Sequence, residues 1–285
     1  MLRPSILPLI MLVWLGGLLF ASAAVWAGLG SDLRLAAAFA TAALALFVIA
    51  FAAHRIWRER FSAALVAAED ALDRGDLRGA RELMAPLLAR FPKQAVVQEV
   101  AADVLYASGD PLSAASLFES AMKPLGPARV APRLVACYAA LNRGGDARRV
   151  AALVPEDRLA SLALAWSELV ATGGDRARGL VLSDSLVSDV ERSENATVAA
   201  MTAALAAIAA ARRGDRASLH ARLAAMRRAR PTAEDEAFLG YLAGVALREA
   251  GDIEDARREF SAAAERSPES IGGALARRER ANLPT

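Results

Sequence analysis

Few side chains in this sequence are suited to covalent or metal chemistry. In 285 residues Cys137 is the one cysteine, and His54 and His220 are the only histidines. A lone cysteine excludes an intrachain disulfide and a multi-cysteine zinc site. A nucleophilic thiol needs a neighbouring base or cation to ionise at neutral pH. None is signalled beside Cys137, which falls on an apolar face and reads as a buried structural thiol. His220 stands among Arg212, Arg213, Arg216 and Arg222 and reads as a solvated surface residue. His54 follows an apolar run. Haem ligation is the sharper reading for it, and an amphipathic ring at a membrane boundary is the plainer and preferred one. The chain lacks G-x-x-x-x-G-K-[ST], H-E-x-x-H, G-x-S-x-G and C-x-x-C patterns, whose spacings carry phosphate, zinc, acyl-transfer and redox chemistry. Asn195-Ala196-Thr197 matches a glycosylation sequon, which a cytoplasmic location would make irrelevant. The expectation is a chain that is not an enzyme, with no catalytic residue, metal, cofactor or small-molecule substrate.

The elements that would position any site fall into two parts, residues 1–60 and 61–285. Pro4 to Ser31 is a run of 28 residues without an ionisable side chain, and Leu35 to Ala53 is a second run of 19. A bilayer core needs about 20 residues of helix. The expected anchor is therefore a transmembrane helical hairpin over residues 6–53, with the short polar break Ser31-Asp32-Leu33-Arg34 between its helices. Arg3 precedes it, and Arg55, Arg58 and Arg60 follow it. The positive-inside rule then puts both ends in the cytoplasm of a multi-pass inner (plasma) membrane protein, with Trp57 at the inner interface and Trp26 near the outer. Ala21-Ser22-Ala23 resembles a signal-peptide cleavage site, but the apolar run is long for a signal peptide and continues past it.

Beyond Arg60 the dipeptide Gly-Asp recurs at Gly75, Gly109, Gly145, Gly174, Gly214 and Gly251, with spacings of 34, 36, 29, 40 and 37 residues. Such periods mean stacked repeats. Gly in the left-handed conformation closes one helix and Asp caps the next. Small residues tend to lie seven before the Gly (Ala68, Ala102, Ala207, Gly244) and five after it (Ala80, Ala114, Ala256). Large apolar residues follow nine after it (Met84, Phe118, Phe260). Val150 and Gly179 stand where repeats three and four should have Ala, so the middle of the array is expected to be irregular. Residues 270–281 read as a capping helix. The fold class is all-α, a helical hairpin followed by an α-solenoid of about six helix pairs.

Gly75-Asp76-xxx-Ala80, Gly109-Asp110-xxx-Ala114 and Gly251-Asp252-xxx-Ala256 resemble the tetratricopeptide repeat, over roughly residues 61–268. The resemblance implies a concave groove, lined by the first helix of each pair, that binds an extended peptide or a partner helix. By register its candidates are Glu69, Glu99, Asp103, Tyr106, Asn142, Glu168, Arg212, Tyr241 and Arg248. The first part of that set is acidic, which implies a basic partner segment. The layout is also similar to HemY-type haem-biosynthesis-associated proteins. Cytochrome c maturation proteins of the same repeat type offer the alternative of an envelope assembly factor with its repeats outside the cytoplasm. Residues 199–231 carry net +6 and residues 232–269 net −6. Mutual neutralisation of adjacent repeats is preferred over an acidic partner or anionic lipid. Nucleic acid is not expected, because the basic stripe lacks interleaved aromatics. The functional expectation is a membrane-anchored scaffold or adaptor for protein–protein interaction.

Overall fold

The computed structural model describes residues 6–29, 33–171, 174–190, 195–228 and 233–284. Arg3, the Ser31-Asp32 break, Arg230 and Pro231 lie outside them. The chain forms two compact units, Met1–Val66 and Ala67–Thr285. Among the described residues the structure is helical, without strands.

The first unit contains α1 (Ile6–Leu29) and the beginning of α2 (Leu33–Asp73). Trp14 packs edge-on against Phe47 with ring centres 4.9 Å apart, and Phe20 lies 5.9 Å from Phe39. The early ring of α1 meets the later ring of α2, so the two helices run antiparallel. Gly17 lies at this contact, and a Cβ added there would stand 3.4 Å from the Phe47 ring. Leu18, Leu19, Val25, Trp26, Leu44, Val48 and Phe51 are exposed. Within α2, Arg34–Ala52 is long and apolar enough to cross a membrane.

The second unit is an α-solenoid of consecutive helix pairs. The end of α2, from Ala67 on, and α3 (Leu77–Arg90) form the first. Then come α4 (Ala95–Ala107) with α5 (Pro111–Leu125), α6 (Pro127–Ala140) with α7 (Gly144–Ala151), and α8 (Arg158–Val170) with α9 (Arg176–Val190). The last two pairs are α10 (Ala196–Arg212) with α11 (Arg216–Arg228) and α12 (Ala233–Glu249) with α13 (Ile253–Arg266). The helix α14 (Ile271–Ala281) packs on both α12 and α13.

The turns explain the repeat. Gly75, Gly109, Gly214 and Gly251 have φ between 73° and 84°, a region that costs a residue with a Cβ about 1–2 kcal/mol. In each, the glycine N–H returns to the carbonyl three residues back and the next N–H to the carbonyl five back, as in Gly109 to Tyr106 and Asp110 to Leu105. The carboxylates of Asp76, Asp110 and Asp215 then accept the N–H three residues on. Asp252 makes no such cap and pairs with Arg216 at 3.1 Å.

Repeat three departs from the expected register. Gly145 has no positive φ and lies inside α7. The left-handed residue is Asn142, at φ 59°, and its turn repeats the same two bonds, Asn142 to Ala139 and Arg143 to Tyr138. Counted from Asn142, the buried small residue five on is Ala147, but the repeat stays irregular, as expected: α7 has only 8 residues and Arg143 gives its start no side-chain cap. In repeat four Gly174 approaches the Glu168 and Ser167 carbonyls so closely that a Cβ would stand 2.6–2.8 Å from them. There the Asp175 N–H bonds the Glu168 carboxylate at 2.6 Å instead of a carbonyl. Gly179, at the expected alanine position, is required by Leu169, whose side chain would lie 2.9 Å from an added Cβ. In the last pair Gly244 makes room for the Phe260 ring, 2.5 Å from where a Cβ would stand.

Candidate functional site

The first helices of the pairs line a cavity of about 330 Å³ within the second unit. Its wall includes Asp103 and Tyr106 from α4, Arg133 from α6, Met201 from α10, and Asp235 and Phe238 from α12. Leu159 of α8 sits in the wall with its side chain half exposed, and Ser270 and Ile271 bring in the start of α14. The lining position drifts along the array. Asp103 and Tyr106 come six and three residues before their turn glycine, whereas Met201 and Phe238 come thirteen before theirs. The wall thus passes from the last turns of α4 to the first turns of α10 and α12.

The drift accompanies a closure. The turn of repeat two meets the cap helix: a Cβ on Gly109 would lie 3.6 Å from the Ala274 Cβ and 3.7 Å from the Ser270 carbonyl. Tyr106 packs on the apolar cluster to which α12 and α14 contribute. Behind the wall, Phe238 stands edge-on to Trp166 at 4.9 Å, and Tyr241 continues the aromatic stack to Phe260.

The electrostatics centre on α4 and α6. Glu99 is 3% exposed, and its carboxylate meets Arg129 at 2.7 Å and Arg133 at 2.9 Å. Arg133 is shared with Asp103 at 3.1 Å. Burial raises the Asp103 pKa to about 7, with Arg133 opposing and Glu99 and Glu69 adding to the rise. Tyr106 is pushed above the usual phenol range by burial first, with smaller contributions from Cys137, Tyr241 and Asp235. Asp235 accepts the Thr197 hydroxyl at 2.8 Å.

Of the nine residues that register selects, Asp103 and Tyr106 line the cavity. Glu69 is exposed near the start of the second unit. Glu99 is a buried anchor for the two arginines. Three others have structural places. Asn142 is the left-handed turn residue of repeat three, not part of a first-helix face. Glu168 is fully buried, taking the Asp175 N–H and Arg148. Tyr241 is 1% exposed, inside the aromatic stack. Burial takes Glu168 and Tyr241 off any surface that a partner could touch. Arg212 and Arg248 converge on Glu249, and Arg248 also pairs with Glu279 of α14. Arg133, Leu159, Met201, Asp235 and Phe238 escaped the sequence reading, because a fixed offset from the turn cannot follow a lining that drifts.

The remaining chemistry-bearing residues have equally plain places. Cys137 is fully buried, and burial, then the Asp103 charge, push its thiol pKa up. His220 is exposed, near Asp255, Arg258 and Glu259. Asn195 of the sequon caps α10 through the Val198 N–H, while Thr197 bonds Asp235. The basic stripe meets the acids of neighbouring repeats: Arg212 with Glu249, Arg213 with Asp184, Arg216 with Asp252, and Arg227 with Glu259. No protein-family model matches the chain, and neither does any curated protein.

Proposed function

We propose that this chain is a membrane-anchored scaffold of the tetratricopeptide type that holds partner proteins at the cytoplasmic face of the membrane. The observation that carries the reading is α2, whose Leu33–Asp73 span contains both the apolar Arg34–Ala52 segment and, from Ala67, the first helix of the repeat array. In this reading α1 and α2 cross the membrane as a hairpin, and Arg55, Arg58 and Arg60 keep the C-terminal part inside. Anchoring raises the effective concentration of the array toward membrane-bound partners without new contacts. Its action is binding rather than turnover.

Topology and partnership are tested separately. A reporter that is active only outside the cytoplasm, fused after Thr285, should stay silent, and the same reporter fused after Leu29 should be active. An active C-terminal fusion refutes the cytoplasmic placement and favours an envelope assembly factor. Photo-crosslinking of the full-length chain in its native membrane should then give discrete protein adducts from positions in the repeat array. Their absence from every array position tried removes the scaffold reading.

A further inference from the structure

We propose that the cavity between the first helices binds a compact, uncharged aromatic molecule that carries a carbonyl group, its ring held by the apolar wall around Met201 and Phe238 and its oxygen by the Tyr106 hydroxyl. This goes beyond the scaffold reading and does not depend on it. A volume of about 330 Å³ lies at the low end of cavities that hold ligands, which run from about 300 to 1,000 Å³. It suits one small molecule, not a length of extended peptide or a helix. Ser270 belongs to the wall, and a Cβ on Gly109 would lie 3.7 Å from its carbonyl, so the turn of repeat two closes that edge.

The charged groups on the wall are Asp103, Arg133 and Asp235, and each is already engaged within the protein. Asp103 pairs with Arg133 at 3.1 Å, Arg133 also meets Glu99, and Glu99 holds Arg129 as well. Burial keeps the proton on Asp103 up to a pH of about 7. Asp235 takes the Thr197 hydroxyl at 2.8 Å and has a further interaction. An ionised ligand would lose its water there without gaining a free counter-charge. Most of the remaining wall is apolar, with Met201, Phe238, Leu159, Ile271 and Pro132 as its larger side chains. A thioether and an aromatic ring on one wall favour an aromatic occupant. The Tyr106 hydroxyl differs from the other polar groups. Burial first, then Cys137, Tyr241 and Asp235, keep it un-ionised, and it makes no hydrogen bond among the described residues. A neutral phenol in a partly desolvated setting calls for an acceptor, and a carbonyl oxygen supplies one without bringing charge.

The test uses the full-length chain in detergent at a pH of about 6, where Asp103 holds its proton. Fluorine NMR follows para-fluoroacetophenone, with empty micelles as the blank. The matched probe without an acceptor is para-fluoroethylbenzene, and the charged ones are para-fluorobenzylammonium and para-fluorobenzoate. Saturable binding of the ketone above the blank is expected, with the ethylbenzene about fivefold weaker and both charged probes about tenfold weaker or more. Tyr106→Phe, which removes only the hydroxyl, should weaken the ketone about fivefold and leave the ethylbenzene unchanged. A structural role for Tyr106 would move both probes together. Ala136→Phe, at a part-buried position on the wall, should block both, with an unchanged melting temperature certifying the fold; should it unfold the chain, Tyr106→Phe still decides. A capped Phe-Ala-Phe tripeptide carries rings and carbonyls on a peptide and should not displace the ketone. No saturable ketone binding, a charged probe as tight as the ketone, equal effects of Tyr106→Phe on the two neutral probes, wild-type affinity in a folded Ala136→Phe, or displacement by the tripeptide overturns the proposal.

Discussion

Asp103 and Glu249 are carboxylates on first helices of the array, and their surroundings act on them in opposite directions. Burial raises Asp103 from 3.8 to about 7 despite Arg133. Burial also works against ionisation of Glu249, but Arg212 and then Arg248 outweigh it and hold that carboxyl below its usual value. The signs decide how stability follows pH. The folded chain keeps a proton on Asp103 that the unfolded chain releases between pH 3.8 and about 7, so this contribution declines as pH rises through that window. Glu249 contributes above its unfolded pKa, and that part is lost in acid. Asp103→Asn should therefore gain on the wild type between about pH 4 and pH 8, by an amount on the order of 4 kcal/mol. Denaturant unfolding in detergent at the two pH values checks this, and an unchanged difference would remove Asp103 as the titrating group. Asp103 and Tyr106 were legible as candidates because they lie on a first helix near a well-formed Gly-Asp turn. Asp235 was not, since nothing in its immediate sequence separates it from Glu234 and Glu236 as a solvated acid.

At the scale of the element, the turns were legible where glycine writes them. Gly75, Gly109, Gly214 and Gly251 all take the left-handed conformation that the pattern requires. Repeat three was misread because asparagine also tolerates that conformation, so Asn142 makes the turn while Gly145 only imitates it. Repeat four seemed poor because its small residue is smaller than alanine and its turn borrows a side-chain carboxylate. The glycines of the Gly-Asp dipeptides in repeats two and three, Gly109 in its turn and Gly145 inside α7, should respond oppositely to alanine. Gly145→Ala, at an exposed helical position with open space around its Cβ, should stabilise by roughly 0.5 kcal/mol. Gly109→Ala should destabilise by about 1–2 kcal/mol from its positive φ alone. Asn142→Gly should be neutral or stabilising and Asn142→Ala destabilising, all read as shifts in the urea midpoint. A stabilising Gly109→Ala or a damaging Gly145→Ala would restore the register that the dipeptide alone suggests.

Over the whole repeat unit, composition hid two arrangements. The opposed charges of the last repeats meet across their boundaries in ion pairs. The exposed ones contribute only about 0–1 kcal/mol each, and Arg212–Glu249 is the most sheltered of them, its side chains 11% and 20% exposed. The cap helix does more than shield an end. It buries Ile271, Leu275 and Ala276 against α12 and α13 and touches the repeat-two turn. A chain ending at Ser267 should lose roughly 3–5 kcal/mol from that apolar burial, and an unchanged urea midpoint would show α14 to be dispensable. The contact between the Gly109 turn and α14 also bears on how such a chain can change over time. An open solenoid gains or loses a unit at little cost, because each unit touches only its neighbours. Here an extra helix pair between α5 and α12 would part Gly109 from Ala274 and pull the cavity walls asunder. Duplication and deletion of repeats, the ordinary way in which these arrays diversify, are thereby closed to this stretch, and it is left to vary by substitution alone.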